Sequence, residues 1–154
     1  MPATKVKEFL DSHGVKYISI KHSPAYTAEE VAASAHVAGR DFAKTIVVRI
    51  EGSFAMVVLP ASRRLVLADL RELLQTHAVR LATEAEFRDL FPDCELGAMP
   101  PFGNLYGMSV YIAECLAQEE SIAFNAGSHT EVIKMEFYDF DELVHPVVLD
   151  FITT

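Results

Sequence analysis

The sequence has few of several residue types, and each shortage excludes a class of protein. It contains no tryptophan, two cysteines and no apolar run longer than a few residues, the stretch 54–59 being typical. A membrane-spanning helix needs about 20 apolar residues, so none is expected. Cys94 and Cys115 form no C-x-x-C pair, and no export signal precedes them, so neither a metal site nor a disulfide is indicated. We expect a cytoplasmic protein without metal or cofactor.

Positive charge is scarce at the C-terminal end of the chain. The 154 residues include 13 Lys and Arg against 22 Asp and Glu, a formal net charge of −9. Residues 105–154 hold one basic residue, Lys134, and nine acidic ones, giving −8, whereas residues 1–104 hold twelve and thirteen, giving −1. A tight nucleic-acid binder usually has a basic surface. Any RNA must therefore contact residues 1–104 or be delivered by a partner, and no DNA binding is expected.

Helix signals occur at several points along the chain. Thr27 with Glu30, and Thr83 with Glu86, have the spacing of capping boxes, in which the two side chains satisfy backbone N–H groups at a helix start. Asp69 is placed to cap another helix. The helix that follows Thr83 carries Phe87, Leu90 and Phe91, and further helices are predicted near residues 4–13 and 140–144.

Strand signals alternate with these helices. Residues 97–107 contain three glycines and two prolines, so no regular element is expected there. Because hairpins are mixed with α/β alternation, the order predicts a single α+β domain over residues 1–154 with a mixed central sheet. The runs that predict strands are 16–20, 42–50, 54–59, 79–81, 108–112, 121–124 and 131–135.

Lys44 is the charged residue of the otherwise uncharged run 42–48. Strand alternation places Phe42, Lys44 and Ile46 on one face of the sheet and the residues between them on the other. A lysine in this setting is either a strand-end residue that reaches solvent or a cation at a pocket.

Two glycine-containing segments are candidates for chemistry. Residues 97–103 form either a tight structural turn or a stiff loop whose backbone N–H groups can stabilise an oxyanion. Residues 125–130 form a turn, where His129 is a proton donor, an orienting hydrogen-bonding group or a surface residue. The sequence contains no HExxH, GxSxG, Walker or GxGxxG motif.

Four segments in register carry a resemblance. They are K-H-S-P at 21–24, A-K-T-I-V-V at 43–48, G-A-M-P-P-F-G at 97–103 and F-N-A-G-S-H-T at 124–130. In order and spacing the chain resembles the YbaK / prolyl-tRNA-synthetase-associated editing domain family. The resemblance implies an α+β fold with a curved mixed sheet flanked by helices, a pocket at the mouth of the sheet, and metal-independent hydrolysis of mischarged aminoacyl-tRNA.

The resemblance also implies roles for single residues. The G-x-H turn matches the branch of the family that is similar to the synthetase insertion domain. This match favours alanine or another small amino acid on tRNA(Pro) as the substrate over a cysteinyl-tRNA. The implied partners are the acceptor end of the tRNA and, for delivery, prolyl-tRNA synthetase or elongation factor. The implied catalytic residues are Lys44, Gly97 and His129, and the implied substrate-binding residues are His22, Pro101, Phe102, Gly103, Gly127 and Ser128.

Ester hydrolysis requires no strong nucleophile, so each of these residues has a modest expected task. Backbone N–H groups near Gly97 would stabilise the oxyanion, and Lys44 would supply positive charge rather than act as a base. His129 would orient substrate or water through a hydrogen bond. Two alternatives stay open: a binding or regulatory module of the same fold, and a hydrolase of free amino-acid esters.

Overall fold

The computed structural model describes residues 4–150. Residues 4–150 form six α-helices and eight strands, with two hairpins, β2–β3 and β6–β7, among the alternating elements. The helices are α1 (Thr4–Ser12), α2 (Ala28–Ser34), α3 (Leu67–Leu74), α4 (Glu84–Phe87), α5 (Glu114–Ala117) and α6 (Phe137–Val144). The strands are β1 (Tyr17–Lys21), β2 (Phe42–Ile50), β3 (Ser53–Pro60), β4 (Val79–Leu81), β5 (Ser109–Ala113), β6 (Ser121–Asn125), β7 (Glu131–Glu136) and β8 (Val147–Leu149).

All eight strands belong to one mixed sheet, which confirms the predicted single α+β domain. The strand order is β1-β7-β6-β2-β3-β5-β8, and β4 pairs with β2. The β2–β6, β3–β5 and β5–β8 pairs are parallel, and the others are antiparallel. β2 is the central strand of this sheet. On one side it pairs with β3 over residues 43–50, and on the other side its start pairs with β6 and its end with β4.

The local sequence signals explain most element boundaries. Both capping boxes are present: Glu30 N–H donates to Thr27 Oγ1 at 3.1 Å, and Glu86 N–H donates to Thr83 Oγ1 at 3.2 Å. The Asp69 prediction is wrong, because α3 begins at Leu67 and has no side-chain cap. Asp69 lies in the first turn of α3, where its negative charge interacts favourably with the positive end of the helix dipole.

Three short elements were missed by the sequence patterns. A 3-10 turn spans Gly103–Leu105, so the prediction of no regular element over residues 97–107 is wrong. The one-turn helix α5 and the three-residue edge strand β8 are too short to show a periodicity. β8 exists because Val147–Leu149 pair with β5, a contact that depends on tertiary structure.

The sheet separates a large core from two smaller ones. On the first face, α1, α6 and the Phe87–Phe91 segment cover a core that includes Ala43, Val47 and Phe124. On the second face, α2 covers Phe42 and its neighbours, and α3 covers Val48 and its neighbours. Alternation along β2 places Lys44 on this second face, between the residues that α2 covers and those that α3 covers. The gap between the two helices is therefore where a polar side chain is tolerated.

Candidate functional site

A loop and a turn that are distant in sequence are joined by hydrogen bonds. Glu95 N–H donates to Gly127 O at 2.8 Å, and Gly127 N–H donates to Ala98 O at 3.0 Å. The backbone N–H of His129 donates to Glu95 Oε1 at 3.0 Å, and its ring is bonded to Leu96 O. The glycine–proline loop and the G-x-H turn, which the sequence singled out separately, thus form one unit.

The His129 ring is buried, with 8% of its surface exposed, and its hydrogen bonding defines its tautomer. Nε2 lies 2.9 Å from Leu96 O. A carbonyl oxygen can only accept, so Nε2 carries the proton and donates it. Nδ1 is buried and has no hydrogen-bond partner within residues 4–150. In the neutral ring Nδ1 is therefore an unused acceptor.

The segment before α2 covers the same turn. His22 N–H donates to Thr130 O at 2.9 Å, and Ala25 N–H donates to His129 O at 3.3 Å. The ring of Tyr26 packs on the ring of His129 with 4.8 Å between centroids, yet Tyr26 remains 71% exposed. Tyr26 carried no recognisable sequence signal, because one aromatic residue in a loop predicts nothing by itself.

Lys44 faces a cavity on the second face of the sheet. The cavity has a volume of about 330 Å³ and is lined by Thr27, Ala28, Glu29, Lys44 and Ala61. Burial lowers the pKa of Lys44 below its ordinary value; the nearby charge of Glu29 acts against this and that of Arg64 adds to it. Lys44 forms no salt bridge within the described part of the chain.

Strand pairing connects Lys44 to the His129 turn. Ala43 pairs with Phe124 where β2 and β6 run parallel, so Lys44 and Asn125 are the next residues on the two strands. The turn that carries His129 begins directly after Asn125. Tyr26, which packs on His129, is followed at once by the residues that line the Lys44 cavity. The structure therefore brings Lys44 and the loop–turn unit to one region.

Buried polar atoms without partners occur on the strands and loops that form this region. Within residues 4–150 four buried side-chain atoms have no hydrogen-bond partner: His22 Nε2, Thr45 Oγ1, Asn125 Oδ1 and His129 Nδ1. Because His22 Nδ1 lies 2.7 Å from Ser23 O and must donate to it, His22 Nε2 is also an acceptor. Buried groups of this kind are rare in folded proteins and require an explanation. His22 Nε2, Asn125 Oδ1 and His129 Nδ1 belong to the turn or to residues adjoining it, and they indicate a surface arranged for a hydrogen-bonding ligand. Thr45 points to the opposite face of β2 from Lys44 and does not belong to this surface.

Gly97 lies in this unit with a backbone that favours glycine. Its φ is +87°, in the left-handed region. A Cβ there would lie 3.6 Å from His129 Cε1, which is ordinary contact, so conformation rather than crowding requires glycine at this position. The Gly97 N–H has no acceptor within residues 4–150 and is available to a ligand.

Other residues of the predicted set lie in the interior. Phe102 is fully buried in the large core, with its ring centroid 5.4 Å from that of Phe124. Gly103 is required by packing, because a Cβ would lie 2.5 Å from Met108 O. Pro101 and Gly127 are buried as well, and the Ser128 hydroxyl is bonded within its own turn to Thr130 at 3.3 Å. These positions are packed in the interior or bonded within the turn, whereas Lys44, Gly97 and His129 each have a polar group without a partner among residues 4–150.

Two other features lie outside this site. Burial raises the pKa of Cys94 to about 11, so at neutral pH it is a thiol rather than a nucleophilic thiolate. Both cysteines are free. A larger cavity of about 540 Å³ beside β1 and β7 contains none of the predicted site residues. No helix in residues 4–150 is long and apolar enough to cross a membrane.

Comparison with known proteins identifies the family. The sequence model of the aminoacyl-tRNA editing domain matches residues 22–143, which include every residue named above for the site. The chain belongs to the aminoacyl-tRNA editing domain family. No curated protein sequence matches it.

Solved structures share the fold across almost the whole chain. A hypothetical protein, APE2540, is 24% identical with a TM-score of 0.84 over 97% of this chain and 99% of its own. A proposed trans-editing enzyme for prolyl-tRNA synthetase is 22% identical with a TM-score of 0.80 over 97% and 95%. A candidate signal transduction protein from Marinobacter aquaeolei is 15% identical with a TM-score of 0.75, and the chain covers 30% of it. The fold therefore occurs in chains of similar length and within a longer one.

Proposed function

We propose that the protein is a trans-editing aminoacyl-tRNA deacylase, formed by residues 1–154 as one domain, that hydrolyses the ester of mischarged tRNA. The observation that carries the proposal is the free N–H of Gly97 beside a buried His129 with an unused Nδ1, in the region that also holds Lys44. A free donor, a free acceptor and a half-buried cation are the groups that ester hydrolysis needs. The similarity to a proposed trans-editing enzyme for prolyl-tRNA synthetase supports tRNA(Pro) as the substrate tRNA. The proposal of alanine or another small amino acid on this tRNA rests on the sequence resemblance alone.

The proposed reaction is hydrolysis by water. The water oxygen attacks the ester carbonyl, and the carbonyl oxygen becomes an oxyanion that the Gly97 N–H stabilises. Collapse of the intermediate breaks the bond to the ribose oxygen, which receives the proton that the water gives up. Losing one oxyanion donor typically costs about 3 kcal/mol of transition-state stabilisation. This step needs no covalent enzyme intermediate.

Lys44 and His129 position the substrate in this proposal. The Lys44 ammonium supplies positive charge for the terminal phosphate or the carbonyl region, since a protonated amine cannot serve as base. His129 Nδ1 accepts a hydrogen bond from the aminoacyl group or the water, because Nε2 is already committed to Leu96 O. The tRNA is delivered in the cytoplasm by prolyl-tRNA synthetase or elongation factor, which offsets the net charge of −9.

A panel of mischarged tRNAs tests the proposal. Purified protein is incubated with several aminoacyl-tRNAs and with free amino-acid esters, and Lys44→Ala serves as the inactive control. Selective release of alanine or another small amino acid from tRNA(Pro) is the expected result. Cleavage of the free esters alone would favour a small-molecule hydrolase, and binding without cleavage would favour a regulatory module; either result overturns the proposal.

A further inference from the structure

Two arginines, Arg63 and Arg64, come two and three residues after Ala61, which lines the Lys44 cavity. β3 ends at Pro60, and the buried Ala61 forms part of the cavity wall. Arg63 N–H donates to Pro60 O at 3.0 Å, which closes a turn and places Arg63 and Arg64 on the exposed surface beyond the wall. The turn packs against the loop before β2, because a Cβ on Gly39 would lie 3.3 Å from Ser62 Cβ.

The charges of these two arginines are not paired with acidic groups within the described structure. Neither side chain forms a salt bridge or a hydrogen bond to another residue among residues 4–150. By contrast, Arg49 and Arg80 both pair with Glu86. Arg64 lies three residues after Ala61, which lines the cavity together with Lys44, and its charge contributes to the lowered pKa of Lys44.

Negative charge lies close to this turn but does not neutralise it. Glu29 lines the cavity itself, and its charge acts on Lys44. It forms no salt bridge with either arginine among residues 4–150. The neighbouring Asp41 raises the pKa of Glu119, and the charge of Arg40 acts against that rise. Arg40 forms no salt bridge among residues 4–150 but has these acidic groups beside it, whereas Arg63 and Arg64 form an exposed basic patch at the cavity.

We propose that Arg63 and Arg64 bind phosphates of the tRNA acceptor strand that leads to the terminal adenosine. This inference rests on the proposed function, because an ester held at Lys44 and Gly97 requires the preceding nucleotides to leave the cavity across its rim. Guanidinium groups suit phosphate through paired N–H donors and permanent charge. A local patch of this kind also explains how a chain with a net charge of −9 can receive RNA.

Binding and cleavage are measured for the wild type and for the double variant Arg63→Gln/Arg64→Gln. The probes are deacylated tRNA(Pro), alanyl-tRNA(Pro) and a free alanine ester, each over a range of salt concentrations. Arg63→Lys/Arg64→Lys retains the charge, and Arg88→Gln removes an exposed arginine from the α4 side of the first sheet face. Thermal melts check that each variant folds.

The wild type should bind deacylated tRNA weakly, and binding should tighten at low salt. The Gln double variant should weaken binding and kcat/KM on alanyl-tRNA by about tenfold. The dependence of log Kd on log salt should fall by about 0.7 to 0.9 for each arginine removed. The Lys variant should retain most of that slope, and Arg88→Gln and free-ester cleavage should be unchanged.

The inference and the proposed function fail in different measurements. If the Gln double variant binds tRNA with the wild-type affinity and salt slope, or if the wild type binds no tRNA at low salt, the inference is overturned. Equal losses on the free ester would also overturn it, because phosphates are absent from that probe. Absence of cleavage by a wild type whose tRNA binding depends on Arg63 and Arg64 would instead refute the proposed function and support the inference.

Discussion

Glu131 and His129 are two residues apart and almost equally buried, yet their polar atoms are used differently. The Glu131 carboxylate is bonded by Lys7 and Ser19 and lies 3.5 Å from Lys21 Nζ. His129 uses one ring nitrogen and leaves the other without a partner within residues 4–150. His129 lies in the turn between β6 and β7, and Glu131 is the first residue of β7, so their neighbouring positions in the chain do not explain the difference.

The contrast shows that burial alone does not mark a functional residue. Burial of a charge is costly unless partners compensate, and Glu131 has them from α1 and β1. Its bonds tie the edge strand and the first helix to β7. His129 Nδ1, by contrast, has no partner among residues 4–150. A buried hydrogen-bonding group without a partner is tolerated where a ligand binds to it. This comparison between Glu131 and His129 is tested by variants that change either the deacylation rate or the stability but not both.

Lys44→Ala should show the largest difference between its effect on rate and its effect on stability. The deacylation rate should fall by about a hundredfold, with little change in thermal stability. Lys44 lies between the clusters covered by α2 and α3 and has no salt bridge among the described residues, so its loss removes charge but little packing. Single-turnover rates and thermal melts of the variant decide the matter. A wild-type rate would refute a role for Lys44.

The same residue predicts a pH dependence. Burial lowers the pKa of Lys44 below 10.5, so the ammonium is present at low pH and is lost as the pH rises through that lowered value. After subtraction of uncatalysed hydrolysis, the enzymatic rate should fall on the alkaline side. Lys44→Arg, if active, should show no such fall, because arginine keeps its charge. An identical alkaline decline in Lys44→Arg would assign the decline to another group.

Glu131→Gln should act in the opposite sense, lowering stability by about 2 kcal/mol with an unchanged rate in the folded protein. Burial raises the pKa of Glu131, but the bonds from Lys7 and Ser19 outweigh it, and the net pKa is lowered. The stability that the carboxylate contributes is therefore present above pH 4.5 and is lost as the pH falls through the lowered value.

Denaturant unfolding at several pH values measures this effect. The difference between wild type and Glu131→Gln should shrink on acidification, and Glu136→Gln, an exposed glutamate of the same strand, serves as the control. A constant difference at all pH values would show that packing, rather than the charge of Glu131, carries the effect.

Gly97→Ala should affect both quantities, with a rate lower by about tenfold and a stability lower by about 1 kcal/mol. The stability cost follows from φ +87°, where an L-residue is strained by about 1–2 kcal/mol. Gly52→Ala is the matched control: its φ is +85°, and it has open space around it in the β2–β3 turn. If both variants lose the same stability and both retain the wild-type rate, the oxyanion role of Gly97 is wrong.

Most of the fold could be predicted from sequence because its signals are local. The capping boxes at Thr27 and Thr83 and the β-branched run of β2 each depend on residues that are adjacent in sequence. α5 and β8 could not be predicted, since they are short and form through tertiary contacts. The start of α3 was misplaced because Asp69 is of a residue type that often caps helices. In the structure the N-cap is Val66, and Asp69 lies in the first turn of the helix.

The candidate site was only partly predictable. Motifs indicated Lys44, Gly97 and His129, but nothing in the pattern showed that Nε2 of His129 is occupied and Nδ1 is free. Tyr26, Asn125 and the carbonyl of Leu96 were missed, because their roles arise from packing between segments far apart in sequence. Phe102 and Gly103 shared a motif with Gly97 yet lie in the core, so proximity in sequence did not distinguish packing from exposure.

The smallest and most discriminating effect is expected at His129. His129→Ala should lower the rate several-fold, which corresponds to one hydrogen bond of about 1 kcal/mol. The amide of Asn can occupy the place of Nδ1, whereas that of Gln reaches the place of Nε2. If Nδ1 contacts the substrate, His129→Asn should retain more of the rate and His129→Gln more of the stability, because Gln preserves the bond to Leu96 O.

General base catalysis would instead contribute about a hundredfold or more, with a rate that falls on the acidic side as the base becomes protonated. The decisive measurement is the pH–rate profile of wild type, His129→Asn and His129→Ala. A loss beyond a hundredfold in both variants, with an acidic limb present in the wild type and absent from both, would make His129 the base rather than a hydrogen-bond acceptor.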